Sequence, residues 1–309
     1  MMKGANRWRR QVPFILLTNG GGVTEEAKAH ELSRELGVKI TPSQVVLSHS
    51  PMQSLVDKYR HRHVLVVGGA ERRCAEVAQH YGFEKVTIPD DIVAWNPSAW
   101  PFTSVRDYAR PEYDYSQEPI DAMMVLHDSR DWARDLQIMT DVLQSRHRVV
   151  GRADWGQPAQ IVPVYFSNPD FQWSNEYPTP RFAQGAFRLT LELLYRQLTG
   201  GNELKYRLFG KPHTATYKFA LTTLNDQARV LDPAHTGFRR FYAVGDNPES
   251  DIMGANNHGW HSIAVRTGIF QHPDQVSHRA ELQPKDIVED VEEAVNLILE
   301  KELAIEKVG

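Results

Sequence analysis

Short apolar runs alternate with longer amphipathic stretches along this chain. The apolar runs at 12–17, 64–67 and 122–126 have the length and composition of buried strands. The stretches at 25–36 and 132–144 carry apolar and charged residues at helical spacing. We predict further strands at 45–47, 86–88, 161–166, 241–244 and 262–265, and further helices at 52–60, 70–81, 185–199, 213–225, from about 250 and at 290–300. This order predicts an α/β protein with a doubly wound parallel sheet.

The alternation stops between residues 90 and 119, where prolines and aromatic residues are frequent. We predict a long irregular loop there, which in a compact domain is usually an insertion or a functional segment. Its aromatic part, from Trp95 to Tyr115, could line a substrate entrance, form a dimer contact or pack on its own domain.

Length and charge narrow the classes of function. A chain of 309 residues is long enough for two domains. The net charge of −4 argues against nucleic acid as a partner. With Cys74 as its single cysteine, the chain can form no internal disulfide. No apolar run approaches the ~20 residues of a membrane span. Whether the chain forms a homo-oligomer stays open.

Three polar motifs follow apolar runs or open a predicted helix. They are Thr18-Asn19-Gly20, Gly210-Lys211-Pro212, and a run from Gly245 that contains Asp246 and Asp251. Each motif alone is typical of a turn or a helix start. Together, however, they supply a hydroxyl, glycine amides, a lysine and two carboxylates, which suit a phosphate group and Mg²⁺. Further candidate pocket residues are Asn168, Asp170 and Asn247.

The three motifs resemble motifs II, III and IV of the haloacid dehalogenase (HAD) superfamily, most closely those of its subfamily IIA. The segments 127–137 and 178–187 resemble a narrower branch, that of the cat-eye-syndrome-region proteins. The resemblance implies a HAD core in two parts, residues 1–60 and 161–309, with an inserted α/β cap at 61–160.

The resemblance also implies roles for individual residues in phosphoryl transfer through an aspartyl-phosphate. Thr18 would bind the phosphoryl oxygens together with Asn19 and Gly20. Lys211 would neutralise negative charge, and Asp246 would bind Mg²⁺ with support from Asp251. The expected substrate is a small phosphorylated metabolite. The branch suggests mitochondria and a link to glycerophospholipid metabolism; without it, the expected location is the cytoplasm.

Motif I of the family, a strand followed by Asp-x-Asp that carries the nucleophile, is absent from the sequence. We therefore expect this chain to be a truncated form without phosphatase activity that folds poorly as a monomer. A non-catalytic phosphate-binding or regulatory protein is the alternative. A Rossmann-type oxidoreductase is disfavoured, because the glycine fingerprint and the ribose-binding acid are missing.

Overall fold

A computed structural model describes residues 12–152, 159–173, 175–276 and 278–306. The described strands are β1 (Leu16–Leu17), β2 (Val45–Val46), β3 (His63–Val67), β4 (Lys85–Thr87), β5 (Ala122–Val125), β6 (Val164–Phe166), β7 (Gln172–Trp173), β8 (Arg181–Phe182), β9 (Tyr206–Leu208), β10 (Tyr242–Gly245), β11 (His261–Val265) and β12 (Asp286–Val288). The described α-helices are α1 (Glu25–Leu36), α2 (Val56–Tyr59), α3 (Arg73–Tyr81), α4 (Pro89–Trp95), α5 (Trp132–Gln144), α6 (Gln184–Leu198), α7 (Thr214–Leu231), α8 (Met253–Asn257) and α9 (Val291–Glu306). The predicted α/β fold class is confirmed.

The chain forms two compact units. The first, called the 16–210 unit, comprises Leu16–Gly210. The second, called the 211–309 unit, comprises Lys211–Gly309 together with the segment before Leu16. In neither unit is any described helix long and apolar enough to cross a membrane.

The 16–210 unit is built on a parallel sheet of five strands in the order β4-β3-β5-β6-β9. Leu65, Met123 and Phe166 on its strands are completely buried. The strands read as continuous apolar runs because helices cover a parallel sheet on both faces. An apolar core of this kind holds the carboxyl ends of the strands at one fixed edge.

This sheet bears on the predicted limits of the cap. The prediction ends the cap at residue 160 and assigns 161–210 to the second part of the core. Strands β6 and β9 pair in the same sheet as β3 and β5. The alternation of strands and helices continues without a break through this region, so no local pattern in the sequence marks a boundary here. The three-part division of the chain stays a prediction.

The 211–309 unit contains a three-stranded parallel sheet in the order β10-β11-β12. Ile263 and Ala264 on its middle strand are fully buried. Ala264 packs with Ile252 and Phe270, and Ile263 packs with Ala294 in a separate cluster. Strand β10 is only half-buried along its whole length, since β11 is its only partner among the described strands. Its carboxyl end leads directly into the predicted Asp246 motif.

The first predicted strand is much shorter than expected. A buried strand was predicted over 12–17, but only Leu16–Leu17 forms one, paired with β2. Val12 is 73% exposed and Phe14 44% exposed. In the described part of the chain β1 has one neighbouring strand, and the amino-terminal residues of this run, Val12 and Phe14, remain exposed.

The predicted loop at 90–119 begins with a helix. Helix α4 starts at Pro89, a residue that suits the first turn because it has no N–H to satisfy. The carboxylate of Asp91 accepts a hydrogen bond of 3.0 Å from the N–H of Ile88 and so caps this helix. Pro89 thus marks a helix start at this end of the segment rather than the start of a loop.

A buried chain of hydrogen bonds holds the glycine-rich loop that follows β1. The N–H of Gly22 donates to Nε2 of His49 at 3.1 Å, and Nδ1 of His49 lies 2.7 Å from the hydroxyl of Tyr81. Tyr81 donates in turn to Glu25 at 2.6 Å, and the hydroxyl of Ser50 bonds the same carboxylate oxygen. Because Nε2 accepts, the proton of the neutral imidazole resides on Nδ1.

His49 is neutral in the folded protein. Its side chain is fully buried, and this burial, with a further contribution from nearby His127, lowers its pKa to about 3. A charged imidazole would also lose the hydrogen bond from Gly22, since both ring nitrogens would then be donors. The loop is therefore held by a histidine that resists protonation.

We predict that the His49→Gln variant loses part of the acid sensitivity of folding. Above about pH 6.5 the imidazole is neutral in both states, so its contribution to stability is complete. As the pH falls towards the folded pKa of about 3, the unfolded state takes up the proton first and stability declines. The slope contributed by His49 is about 1.4 kcal/mol per pH unit, and glutamine removes it.

The measurement is the free energy of unfolding from urea titrations at several pH values between about pH 4 and pH 6. His30, an exposed residue of α1, gives the control variant His30→Gln, which we expect to keep the parental slope. Equal slopes for both variants would show that His49 is not the group that titrates.

Candidate functional site

Thr18 lies directly after β1, with its side chain half-buried. Its backbone N–H donates to the carbonyl of Val46 at 3.0 Å, which extends the pairing of β1 with β2. Its hydroxyl oxygen accepts a hydrogen bond of 3.0 Å from the N–H of Gly20. Because the oxygen accepts, the hydroxyl proton can be donated to an anion such as a phosphoryl oxygen.

The candidate pocket residues Asn168 and Asp170 contact the Thr18 loop. The side-chain amide of Asn19 donates to both carboxylate oxygens of Asp170, at 3.0 and 3.1 Å. The side chain of Asn168 donates to the backbone carbonyl of Asn19 at 3.1 Å. The structure therefore brings three predicted residues from distant parts of the sequence together within the 16–210 unit.

A buried polar layer beneath this contact was not predicted. Ser167 and Gln184 are both fully buried, and the amide of Gln184 donates to the hydroxyl of Ser167 at 3.0 Å. The amide oxygen of Gln184 accepts from the N–H of Asn168 at 3.0 Å, and the hydroxyl of Ser48 lies 3.3 Å from that of Ser167. The available signal in the sequence was a serine directly after each of the apolar runs 45–47 and 164–166.

The predicted residues of the 211–309 unit include a half-buried ion pair. Nζ of Lys211 donates to Oδ1 of Asp251 at 2.5 Å, and each side chain is 12% exposed. The N–H of Asn247 donates to Oδ2 of the same carboxylate at 3.1 Å. Both oxygens of Asp251 thus accept from nitrogen, which fixes the position of the ammonium group of Lys211.

Asp246 occupies the carboxyl end of β10. Its Oδ2 accepts from the N–H of Ile269 at 2.9 Å, and its backbone carbonyl accepts from the N–H of Phe270 at 2.8 Å. Gly268 lies so close to this carboxylate that an added Cβ would overlap it. Asn247 caps the following turn by accepting from the N–H of Glu249 at 3.0 Å, and its predicted place in a pocket stays a prediction.

The carboxylate of Asp246 fits a magnesium ligand. Its Oδ1 receives no hydrogen bond from any described residue, so that oxygen can bind a cation. The described parts of the chain contain no cluster of three or more His, Cys, Asp or Glu side chains able to hold a metal. Mg²⁺ is commonly bound through one or two carboxylates, with water and substrate phosphate completing the shell. The metal role of Asp251 stays a prediction, because direct ligation would compete with Lys211.

The predicted site residues fall into two sets. Thr18, Asn19, Gly20, Asn168 and Asp170 belong to the 16–210 unit, and Lys211, Asp246, Asn247 and Asp251 belong to the 211–309 unit. Within each unit, hydrogen bonds connect members of the set. That both sets act on one phosphoryl group stays a prediction.

Two models of known families match the chain. One, described as haloacid dehalogenase-like hydrolase, matches residues 5–84 and therefore includes Thr18. The other, described as HAD-hydrolase-like, matches residues 208–294 and includes Lys211, Asp246 and Asp251. The two matches thus cover all three of the motifs on which the resemblance rests.

Similar proteins include a mitochondrial hydrolase of Saccharomyces cerevisiae, which is 39% identical over 318 residues, or 95% of this chain and 88% of that protein. A fusion of cardiolipin synthase (CMP-forming) and mitochondrial hydrolase from Schizosaccharomyces pombe is also 39% identical, over 97% of this chain and 50% of that protein. A glycerol phosphate phosphatase from Mycobacterium tuberculosis, solved with magnesium, shares the fold with a TM-score of 0.59 at 21% identity, over 89% of this chain and 65% of that one. By its identity to the first of these relatives, this chain belongs to the haloacid dehalogenase-like hydrolases.

Proposed function

We propose that this protein binds a small phosphorylated metabolite with Mg²⁺, and that its ancestral reaction is hydrolysis of a phosphomonoester. The observation that carries the proposal is the ion pair of Lys211 and Asp251 in the same unit as the open carboxylate of Asp246. A fixed ammonium group and a metal-binding carboxylate supply the two charges that phosphoryl chemistry requires.

Each residue has a distinct task in this proposal. The hydroxyl of Thr18, which the N–H of Gly20 orients, and the backbone N–H of Asn19 donate hydrogen bonds to phosphoryl oxygens. Lys211 neutralises negative charge on the phosphate, and Asp251 holds the ammonium group in place. Asp246 would hold Mg²⁺, which supplies positive charge to the phosphoryl oxygens when bound.

We further propose that the chain with the printed sequence binds phosphate esters without turning them over. An aspartyl-phosphate mechanism needs a nucleophilic carboxylate and a second one for proton transfer, and the sequence contains no Asp-x-Asp. The second candidate function is therefore regulatory phosphate binding. The names of the yeast relatives support a mitochondrial location and a link to phospholipid metabolism.

We expect the Asp246→Asn variant to lose magnesium-dependent phosphate binding. Calorimetric titration of the parental chain with inorganic phosphate should show binding that tightens when Mg²⁺ is added. Asparagine keeps the shape of the side chain and its acceptor for Ile269 but removes the charge that attracts the metal. The affinity in the presence of Mg²⁺ should fall by about tenfold or more.

The matched control is Asp226→Asn, which removes an exposed carboxylate of α7 paired only with Arg229. Its phosphate affinity should equal that of the parental chain. If Asp246→Asn binds phosphate and Mg²⁺ as tightly as this control does, the assigned metal ligand is wrong.

Turnover is tested separately from binding. We expect no magnesium-dependent release of phosphate from p-nitrophenyl phosphate by a preparation that binds inorganic phosphate in the titration above. Steady release that disappears in Asp246→Asn would overturn the proposal that the chain does not turn over its ligand. Failure to bind phosphate at all would overturn the proposed site as well.

We expect Lys211→Met to weaken phosphate binding by about tenfold to a hundredfold, the effect of one charge-assisted hydrogen bond. Methionine retains most of the length of the aliphatic side chain, so packing changes little. The control Lys218→Met removes an exposed ammonium group on α7 and should leave the affinity unchanged. Equal losses in both variants would indicate a general effect of net charge rather than a specific contact.

A further inference from the structure

A cavity lies in the 16–210 unit, and no residue of the Thr18 loop lines it. Its volume is about 650 Å³, within the range of about 300 to 1,000 Å³ that is usual for small-molecule pockets. The segment that follows α4 forms one side, and the carboxyl-terminal half of α5 contributes to the other. The lining residues used below are Trp95, Trp100, Phe102, Gln137 and Asp141.

Aromatic side chains supply much of the lining. The rings of Trp100 and Phe102 meet edge to face, with centroids 4.9 Å apart and an angle of 68° between the planes. Trp95 is held in the same way against Tyr115, at 5.8 Å and 84°. Phe102 remains 77% exposed although it is apolar. Aromatic faces are electron-rich, so this lining attracts a cation that enters the cavity.

A carboxylate without a counter-ion completes the lining. Asp141 accepts a hydrogen bond of 2.8 Å from the amide of Gln137, and no lysine, arginine or histidine among the described residues pairs with it. Its burial raises its pKa above the usual value for an aspartate. A carboxylate that is partly removed from water and has no positive partner is stabilised when a cation binds beside it.

The indole N–H of Trp100 is buried, so this residue contributes its aromatic ring to the lining and no hydrogen bond. The cavity therefore presents a negative charge and aromatic faces.

These features together select one class of ligand. A metal ion would need several oxygen ligands, and Asp141 is the only carboxylate among the described lining residues. An anion would be repelled by the same carboxylate, and a neutral apolar molecule would leave its charge uncompensated. We propose that this cavity binds an alkylated ammonium group, such as that of choline. Its methyl groups would contact the aromatic faces, and its positive charge would lie beside Asp141.

The test is calorimetric titration with choline chloride, at constant ionic strength maintained with sodium chloride. The comparison ligand is the neutral isostere of choline, in which a carbon atom replaces the nitrogen. We expect the parental chain to bind choline at least about tenfold more tightly than the isostere, because cation–π attraction and the charge of Asp141 act only on the cation.

Two variants test the charge of Asp141 and the aromatic lining separately. Asp141→Asn, which keeps an acceptor for Gln137, should weaken choline binding about tenfold or more and leave the weak binding of the isostere unchanged. Phe102→Leu, at an exposed position, tests the aromatic lining with little risk to folding.

Asp226→Asn again serves as the control and should bind choline as the parental chain does. Undiminished phosphate binding by each variant would confirm that it is folded. The proposal is overturned if the parental chain shows no binding at millimolar choline, if the isostere binds equally well, or if Asp141→Asn retains the full affinity.

Discussion

The candidate functional residues depend on one constraint, which is the parallel pairing of short buried strands. Parallel pairing directs the carboxyl ends of neighbouring strands to the same edge of a sheet, where the backbone leaves the ladder and its N–H groups become available. Thr18 follows β1, Asn168 follows β6 and Asp246 follows β10, each within two residues of the strand. The apolar residues of the strands therefore determine where the polar residues at the strand ends lie.

Because an α/β core leaves little room for unpaired polar groups, the loops at these strand ends are held by buried hydrogen bonds. His49 accepts a hydrogen bond from the N–H of Gly22, and Gln184 accepts one from the N–H of Asn168. Two side chains that the sequence did not identify thus fix the backbone of loops that it did identify. Buried polar groups that are fully paired specify a single arrangement of a loop. These buried hydrogen bonds thus fix the position of Thr18, and the residues that form them need not contact a ligand.

The sequence predicted the elements that are specified by residues within the same segment. It missed features that depend on contacts with distant parts of the chain. The periodic stretches at 25–36 and 132–144 became helices with those bounds, because cap residues and apolar spacing are present in the segments themselves. The strand at 12–17 was overestimated, since apolar composition does not reveal how many neighbours a strand has. In the same way, Asn19 and Asp170 were both selected by their motifs, but their mutual hydrogen bonds depend on tertiary structure. His49 belonged to no motif, and Gln184 lay in the segment 178–187, for which the resemblance implied no site residue; the contacts of both are visible only in the packed structure.

The charges of the 211–309 unit explain why phosphate binding should depend on a metal. Lys211 and Asp251 form a pair without net charge, so the ammonium group is already partly neutralised before any ligand arrives. Asp246 adds one further negative charge in the same unit, and a phosphate monoester brings about two more. One lysine cannot compensate these charges where water is partly excluded, because Coulomb repulsion is screened less there than in bulk solvent. If Asp246 binds a divalent cation, as we propose, the sign of the local charge would reverse, and the position of Lys211 would then favour a phosphoryl group.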